Sequence, residues 1–247
     1  MTIDNLPERP RGVKLSDLFE TPTARDLTNV FRICQADGEL GLVTGEPGIG
    51  KTSAARRYVA GRAGAYLITM SPASSALVPS LARLGQVVGA YPSGTGGCAW
   101  SDAIRKALSY EPDPQLLLID EAQHLSDASV EEIRAIYDAM SIGVVFIGNR
   151  DLRDRWSGKR WAQLGSRFLH RIDLEAPLPG DIDAICAAMG VEGKRPRDLL
   201  GRVASGPGGL RIMRKHLDVA AKLAGAGQPI KTEHVEAAAR ARGEVAA

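Results

Sequence analysis

The residues best suited to chemistry form a glycine-rich run between a predicted strand and a predicted helix. Gly45, Glu46, Pro47, Gly48, Ile49, Gly50, Lys51 and Thr52 fit the pattern GxxxxGK[ST], and Ser53 follows them. Glycines in such a loop let backbone N–H groups turn inward around phosphates, and the helix N-terminus adds a partial positive charge. We therefore expect these residues to bind a nucleotide, with Lys51 on the β- and γ-phosphates and Thr52 on Mg²⁺.

Two acids follow a short apolar strand further along the chain. Leu116–Ile119 is wholly apolar, which is typical of a strand buried on both faces, and it leads into Asp120 and Glu121. This is the Walker B pattern, about 68 residues after the glycine-rich loop. Asp120 is expected to orient Mg²⁺, and Glu121 to polarise the attacking water as a general base or positioning group.

A second apolar strand, Gly143–Gly148, ends in the polar residue Asn149. We expect Asn149 to help orient the water near the γ-phosphate; the alternative is that it caps the next loop. The residues that follow, Arg150 and Asp151, do not make the NKxD pattern that selects guanine. ATP is therefore the expected nucleotide.

Three arginines complete the candidate catalytic set. Arg167 and Arg171 precede or border the last predicted strand, where ring and filament ATPases carry an arginine that reaches the neighbouring subunit's γ-phosphate. Arg211 lies in the first turn of a helix opened by Pro207-Gly208-Gly209, from which it could contact the bound nucleotide. For each arginine the alternative is a solvated surface residue.

These groups need a scaffold, and the pattern of the chain predicts one. Predicted strands at Glu39–Thr44, Ala65–Met70, Leu116–Asp120, Gly143–Gly148 and Ile172–Leu174 alternate with helices. The predicted helices are a first one capped by Thr23 and running to about Cys34, then Lys51–Arg62, Ala76–Val88, Trp100–Tyr110, Ser129–Met140 and Lys159–Leu169. Alternation of this kind predicts an α/β fold with a parallel five-stranded sheet covered on both faces.

The pattern changes after Pro177-Leu178-Pro179. Four helical stretches follow, at about Asp181–Met189, Arg197–Ala204, Gly209–Ala224 and Thr232–Arg242, separated by glycine and proline. We therefore expect an N-terminal tail at residues 1–20, an α/β nucleotide-binding core at residues 21–176, and a small all-helical lid at residues 177–247.

Composition limits the class of protein. The chain has 247 residues, 44% of them apolar, with 31 basic and 29 acidic side chains, so nucleic-acid affinity from bulk charge alone is excluded. The charge is uneven: residues 194–247 carry 11 basic and 5 acidic side chains. Three scattered cysteines predict neither a disulfide scaffold nor a zinc site, and no apolar run is long enough to cross a membrane. A cytoplasmic protein is expected.

The motifs together resemble those of the AAA+ ATPases, and the resemblance covers essentially residues 22–242. Within that superfamily the strings GEPGIGKTSAARRY, LLLIDEAQHLS, IGVVFIGNR, LGSRFLHR and GPGGLRIM are similar to those of the Mu B transposition ATPases. The TnsC and IstB types are more distant likenesses. The Walker motifs are generic, but these strings in this order and spacing are considerably more specific.

The resemblance implies an ATP- and Mg²⁺-dependent protein that forms a helical oligomer on double-stranded DNA and presents that DNA as target to a transposase. ATP hydrolysis would release or remodel the oligomer. Members of the Mu B family carry an N-terminal helix-turn-helix domain. Because only about 20 residues precede the predicted core here, we expect that domain to be absent.

Candidate DNA contacts are less sharply defined. Such assemblies place DNA in the central channel, touched by loops from the inner edge of the sheet. The candidates are Ser74 and Ser75 after the second strand, Arg83, Arg105 and Lys106 on nearby helices, and Lys194 and Arg195 in the lid. We expect phosphate contacts with little base readout, and hence a steep dependence on salt.

One alternative function stays open: a helicase-loader-like or protein-remodelling AAA+ ATPase that acts on a protein client. A nucleotide kinase is disfavoured by Glu121 directly after Asp120, together with Asn149 and the helical lid. A two-domain helicase is excluded by length, since a single core plus a lid cannot supply the second motor domain.

Overall fold

The computed structural model describes residues 19–110, 114–157 and 161–241, and in that part of the chain five parallel strands form one sheet. The strands are β1 (Leu40–Gly45), β2 (Ala65–Thr69), β3 (Leu116–Asp120), β4 (Gly143–Ile147) and β5 (Phe168–Leu174). Their order across the sheet is β2-β3-β4-β1-β5, so every connection crosses over through at least one helix. The predicted α/β class with a five-stranded parallel sheet is confirmed.

Seven helices accompany the sheet in the described residues, and four more follow it. The first group is α1 (Pro22–Asp37), α2 (Lys51–Ala60), α3 (Leu77–Val88), α4 (Gly97–Ser109), α5 (Asp127–Ala139), α6 (Arg150–Ser157) and α7 (Ala162–Arg167). The second group is α8 (Pro179–Ala188), α9 (Lys194–Ala204), α10 (Gly209–Ala224) and α11 (Thr232–Ala241). No helix in these ranges is both long and apolar enough to span a membrane.

Both faces of the sheet are covered by apolar side chains. One face packs against α3, α4 and α5, with Leu81, Ile104 and Ile133 buried there. The opposite face packs against α1 and α2, with Leu27 and Phe31 buried there. The central strands β3 and β4 are consequently buried along their whole length, which is why both are wholly apolar until their carboxyl ends.

The register of the sheet decides where polar residues meet. Leu116 of β3 pairs with Gly143 of β4, and Leu40 of β1 pairs with Val144 of β4, so the three strands run side by side in the same direction. Their carboxyl ends therefore lie at one edge of the sheet. The loop after β1, the acids that end β3 and the asparagine after β4 are brought together at this edge.

Two predicted elements differ from the structure. The cap of α1 is Thr21, whose hydroxyl accepts the N–H of Ala24, with Pro22 in the first turn; the prediction of Thr23 as the cap is wrong. The strand predicted at Ile172–Leu174 begins at Phe168, because β5 pairs with β1 along its whole length, from Leu40 to Gly45. The preceding helix, predicted from Lys159, is α7, and residues 159 and 160 lie outside the described residues.

Helices α8–α11 enclose an apolar cluster of their own. Leu200 of α9, Met213 and Leu217 of α10, and Ala238 of α11 are buried together in it. The predicted helical character of the C-terminal region is confirmed over residues 179–241. The predicted tail, apart from residues 19 and 20, and the last six residues of the predicted lid lie outside the described residues.

A buried carboxylate fastens helix α1 to α8, the first helix of the lid. Asp181 of α8 has no exposed surface, and it accepts hydrogen bonds from the backbone N–H of Thr23 (2.9 Å) and from its hydroxyl (2.6 Å). The N–H of Leu178 donates to the same carboxylate at 2.9 Å. Three donors thus compensate the desolvation of the charge, and two of them come from a residue 158 positions away.

We predict that Thr23→Val destabilises the protein by about 1.5–3 kcal/mol, the range for a hydrogen bond to a charged group, because Asp181 loses one donor and stays buried. Urea unfolding measures the loss. Thr28→Val, the same exchange in the same helix, is the matched control and should change the free energy of unfolding by less than about 0.5 kcal/mol. Equal losses for the two variants would contradict a special role for the Thr23–Asp181 contact.

Candidate nucleotide-binding site

A cavity of about 370 Å³ opens at the carboxyl edge of the sheet. It is lined by four parts of the chain: the start of α1, the loop between β1 and α2, the ends of β3 and β4, and the lid. The lining residues include Pro47, Gly48, Ile49, Gly50, Lys51, Thr52, Ser53, Asp120, Glu121, Asn149 and Arg211. The structure thus brings most of the predicted nucleotide-binding residues into one cavity.

The loop of residues 45–52, here called the phosphate loop, is shaped by glycines with positive φ. Gly48 has φ +88° and Gly50 has φ +111°, conformations that side-chain-bearing residues rarely adopt. The ammonium of Lys51 donates to the loop's own carbonyls, to Gly45 at 2.7 Å and to Glu46 at 2.9 Å. The carbonyls of the loop therefore hold the Lys51 ammonium, the group that would bind phosphate, within the loop.

Burial lowers the pKa of Lys51, while the nearby Asp120, Glu121 and Glu46 act in the opposite direction. Arg211 lies close enough to lower that pKa further by repulsion. Lys51 and Arg211 thus bring two cations to the loop, close to the carboxylates of Asp120, Glu121 and Glu46. The two cations are the groups of this cavity that would bind an anion such as a polyphosphate.

The acids at the end of β3 are oriented differently from each other. Asp120 is 2% exposed, and its carboxylate accepts the hydroxyl of Thr52 at 2.8 Å, which places the two predicted Mg²⁺ ligands side by side. Burial raises the pKa of Asp120, although the Thr52 hydroxyl opposes that shift. A carboxylate and a hydroxyl oxygen at this distance fit the oxygen ligands that Mg²⁺ prefers.

Glu121 adopts a strained backbone conformation. Among the described residues other than glycine, it alone has a positive φ, at 55° with ψ 38°. Its N–H donates to Asp120 at 3.0 Å, and its carboxylate accepts the side-chain amide of Gln123. Left-handed conformations of ordinary residues are concentrated at functional sites, and this one turns Glu121 into the cavity wall.

Asn149 lines the cavity and also caps a helix. Its side-chain oxygen accepts the N–H of Leu152 at 3.3 Å, and its amide donates to Asp151 at 2.9 Å. The structure therefore contains the capping contact that was the alternative role for Asn149. Its predicted contact with the γ-phosphate water would require the amide to turn from Asp151 towards the cavity.

The backbone of the lid lies directly against the backbone of the phosphate loop. A Cβ atom placed on Gly48 would overlap the carbonyl oxygen of Gly208 and approach the Cβ of Arg211 to 3.4 Å. The glycines that open α10 therefore let the two backbones touch. This contact brings Arg211 to the cavity, although its predicted role at the nucleotide stays a prediction.

Sequence reasoning missed one wall of the cavity. Phe19, Thr21 and Thr23 line it from the start of α1, and Ile185, Leu210, Arg214 and Lys215 line it from the lid. The guanidinium of Arg214 stacks over the ring of Phe19, 4.7 Å from its centre. Thr21-Pro22, a capping residue followed by proline at the first helical position, was the signal that would have placed the start of α1 correctly.

Arg167 and Arg171 are not among the residues that line this cavity. Arg167 is the last residue of α7, and the next residue, Phe168, pairs with Leu40 at the start of β1. Arg167 therefore lies at the opposite edge of the sheet from the phosphate loop of its own chain, where it forms an ion pair with Asp138. Arg171 donates to the carbonyl of Gly165 within its own chain.

The candidate DNA contacts fall into two places. Arg83 and Lys106 are exposed on α3 and α4, which pack together, whereas Arg105 is half-buried and lies 3.5 Å from Glu132. Lys194 and Arg195 are exposed at the start of α9.

The two serines after β2 are placed differently. Ser74 is 6% exposed, and its hydroxyl donates to the carbonyl of Ser71 at 3.1 Å, so this hydroxyl is already engaged within the chain. Ser75 is half-buried, and its carbonyl accepts the hydroxyl of Ser129 at 2.9 Å. Of the two, only Ser75 keeps a hydroxyl with no hydrogen bond to the described residues.

A phosphate loop after β1, paired acids after β3, a polar residue after β4 and a helical lid that touches the loop define a P-loop ATPase of the AAA+ class. Residues 35–156 match the family described as "AAA domain", and residues 166–241 match "Mu B transposition protein, C terminal".

The chain is 30% identical over 243 residues to the ATP-dependent target DNA activator B of Escherichia phage Mu, covering 96% of this chain and 75% of that protein. It is 27% identical over 207 residues to the Mu-like prophage FluMu DNA transposition protein B of Haemophilus influenzae, covering 81% and 71%. The chain belongs to the Mu B transposition protein family, and it is an ATPase. The resemblance inferred from the sequence motifs is confirmed.

Solved structures agree on the fold. The Aeropyrum pernix ORC1 protein in complex with DNA has a TM-score of 0.66 at 17% identity, over 93% of this chain and 67% of that one. The Thermotoga maritima RuvB Holliday junction branch migration motor has a TM-score of 0.53 at 16% identity, over 94% and 72%. At these identities the likeness shows the AAA+ fold alone.

We predict that Gly48→Ala weakens ATP binding at least about tenfold, because the new Cβ would be strained at φ +88° and would push the phosphate loop off the lid. Gly61→Ala is the matched control, since Gly61 ends the same helix α2 with φ −116° and has nothing within 4 Å of an added Cβ. Titration with a fluorescent ATP analogue measures both. Unchanged affinity in Gly48→Ala would contradict the importance of the backbone contact.

Proposed function

We propose that this ATPase assembles as a helical oligomer on double-stranded DNA, without sequence preference, and presents that DNA as target to a transposase. The assignment to target DNA and transposition is supported by the relatives, two of which carry the words "target DNA activator" or "DNA transposition protein" in their names. The likeness extends over the core and the lid alike.

The observation that carries the assembly is the position of Arg167. It lies at the amino edge of the sheet, whereas the phosphate loop follows the carboxyl edge, so Arg167 cannot complete its own site. In a head-to-tail assembly the amino edge of one subunit faces the cavity of the next. Arg167, with Arg171 beside it, then supplies positive charge to the neighbour's γ-phosphate.

The remaining roles are proposed for residues of the cavity. The proposed division of the chain is a core at residues 21–176 and a lid that begins at residue 177. Lys51 and the phosphate-loop N–H groups hold the β- and γ-phosphates, Glu121 polarises the attacking water, Asn149 orients it, and Arg211 links the nucleotide to the lid. Thr52 and Asp120 would hold Mg²⁺, which neutralises phosphate charge when bound.

DNA is proposed to contact the exposed cations Arg83 and Lys106 on α3 and α4, with Ser75 near them and Lys194 and Arg195 on the lid. Each contact is weak alone, and repetition along an oligomer multiplies it. Arg105 and Arg195 are each paired with an acid, Glu132 at 3.5 Å and Glu236 at 2.9 Å, and Ser74 is buried, so these three are the weaker candidates. ATP and target DNA are both cytoplasmic, and we place the protein there.

We predict filaments on DNA when the protein is mixed with plasmid and a nonhydrolysable ATP analogue and viewed by negative-stain microscopy. Lys51→Ala should form none, because it lacks the phosphate ligand, and Glu121→Gln should form persistent filaments with ATP itself. Closed rings or single subunits that are indifferent to DNA would overturn the DNA-assembly proposal. They would favour the alternative of a helicase-loader-like or protein-remodelling ATPase.

A second prediction tests the arginine in the neighbouring subunit. Arg167→Ala should lose most ATP hydrolysis and regain part of it when mixed with Lys51→Ala, because one mixed interface pairs an intact Arg167 with an intact Lys51. An arginine of this kind contributes about 10³–10⁵ in rate. The matched control is Asp138→Asn, which removes the ion pair of Arg167 but keeps the arginine and should retain hydrolysis. If mixing gives no rescue, the arginine does not act in trans.

A further inference from the structure

Gln123 holds the side chain of the proposed water-activating residue. It lies in the one-turn 3-10 helix Ala122–His124 directly after Glu121, and its amide N–H donates to the Glu121 carboxylate. The backbone N–H of Glu121 is meanwhile bound to Asp120. Both ends of Glu121 are therefore fixed, the backbone by one hydrogen bond and the carboxylate by another.

The orientation of the Gln123 amide follows from chemistry. An ionised carboxylate only accepts hydrogen bonds, so the NH₂ group must face Glu121, and the carbonyl oxygen must point away. That oxygen is buried and makes no hydrogen bond in the described part of the chain. A buried acceptor without a donor is unfavourable, so the amide keeps its bond to Glu121 while its own carbonyl oxygen makes none.

The rest of the Gln123 side chain lies behind the cavity wall. Glu121, Gly148 and Asn149 line the cavity, but Gln123 is not among the lining residues. Its carbonyl oxygen packs on Gly148 at the end of β4, where an added Cβ would lie 2.7 Å away. Gln123 therefore contacts Glu121 and not the cavity itself, and its effect on the reaction is expected to pass through Glu121.

We propose that Gln123 is a positioning residue for ATP hydrolysis, holding the Glu121 carboxylate in the orientation that polarises the attacking water. The inference rests on the proposed role of Glu121. A carboxylate free to rotate spends only part of its time in the productive orientation, and a charge-assisted hydrogen bond removes that freedom. Gly148 supports the same arrangement, because a side chain at this position would overlap the Gln123 amide.

Gln123→Met tests the proposal, because methionine keeps the length of the side chain and lacks the N–H donor. We expect kcat to fall about 10- to 100-fold, part of what a general base contributes, with KM and ATP-analogue affinity unchanged. Gln123→Leu should behave alike, and Gln228→Leu, at an exposed position of the lid, should leave hydrolysis unchanged. An unchanged kcat in both Gln123 variants, or a fall in kcat matched by a loss of ATP affinity, would overturn the proposal.

Combination with Glu121→Gln separates positioning from a general structural effect. Single-turnover hydrolysis should be the same in Glu121→Gln and in the Glu121→Gln/Gln123→Met double variant, because Gln123 has no carboxylate left to act through. The same fold-loss in both backgrounds would show a structural role and refute positioning. If Glu121→Gln alone hydrolyses ATP at the unmodified rate, the proposed role of Glu121 in polarising water is refuted. If Glu121→Gln is slow and Gln123→Met is not, only the proposed positioning role of Gln123 is refuted.

Discussion

The carboxylate of Asp120 is the point through which the site is held together. It ends a strand that is buried on both faces, and at 2% exposure it would be strongly unfavourable without hydrogen bonds. Two donors compensate it: the hydroxyl of Thr52 and the N–H of Glu121. The first bond fixes the start of α2, and with it the phosphate loop, against β3. The second bond holds the N–H of Glu121, whose left-handed backbone turns its side chain towards the cavity. Burial still raises the pKa of Asp120, so a bound cation would relieve a charge that the fold holds at some expense.

The lid is attached to the core on two sides of the same cavity. On one side the backbone of Gly208 touches the backbone of Gly48, with no side chain between them. On the other side Asp181 of α8 is held by Thr23 of α1. The lid cannot move away from the phosphate loop without losing the contact between Gly48 and Gly208. It cannot move away from α1 without losing the bonds between Thr23 and Asp181. The shape of the nucleotide cavity therefore depends on the orientation of the lid.

The sequence predicted the elements that local chemistry specifies. The wholly apolar β3 and β4, the glycine-rich loop and the acids after β3 each have a pattern typical of the structure they form, and these elements lie where they were expected. The start of α1 was misplaced because Thr21 and Thr23 are both capping residues, although Pro22 after Thr21 favours the earlier start. The contact of Thr23 with Asp181, 158 residues away, has no local signal. The length of β5 was underestimated because an edge strand alternates half-buried and exposed residues, and the polar His170 and Arg171 interrupt its apolar pattern. Gln123 was passed over because nothing in its local pattern shows that its amide faces Glu121. Contacts between distant segments, and the direction of a single side chain, are set by packing and not by periodicity.

The sheet separates the phosphate loop from Arg167 of the same chain. β1 has six residues, which at about 3.3 Å each place the phosphate loop roughly 20 Å from the edge where Arg167 lies. No side chain spans that distance, and α7 and β5 are continuous, so Arg167 cannot move to its own cavity without dismantling the strand beside β1. An isolated subunit therefore has its phosphate loop with Lys51 and its paired acids, and still lacks the additional cation that Arg167 is proposed to supply at the γ-phosphate. Under the proposed action of Arg167 in the neighbouring subunit, ATP hydrolysis would be efficient only where subunits meet, and the rate of hydrolysis would then measure assembly.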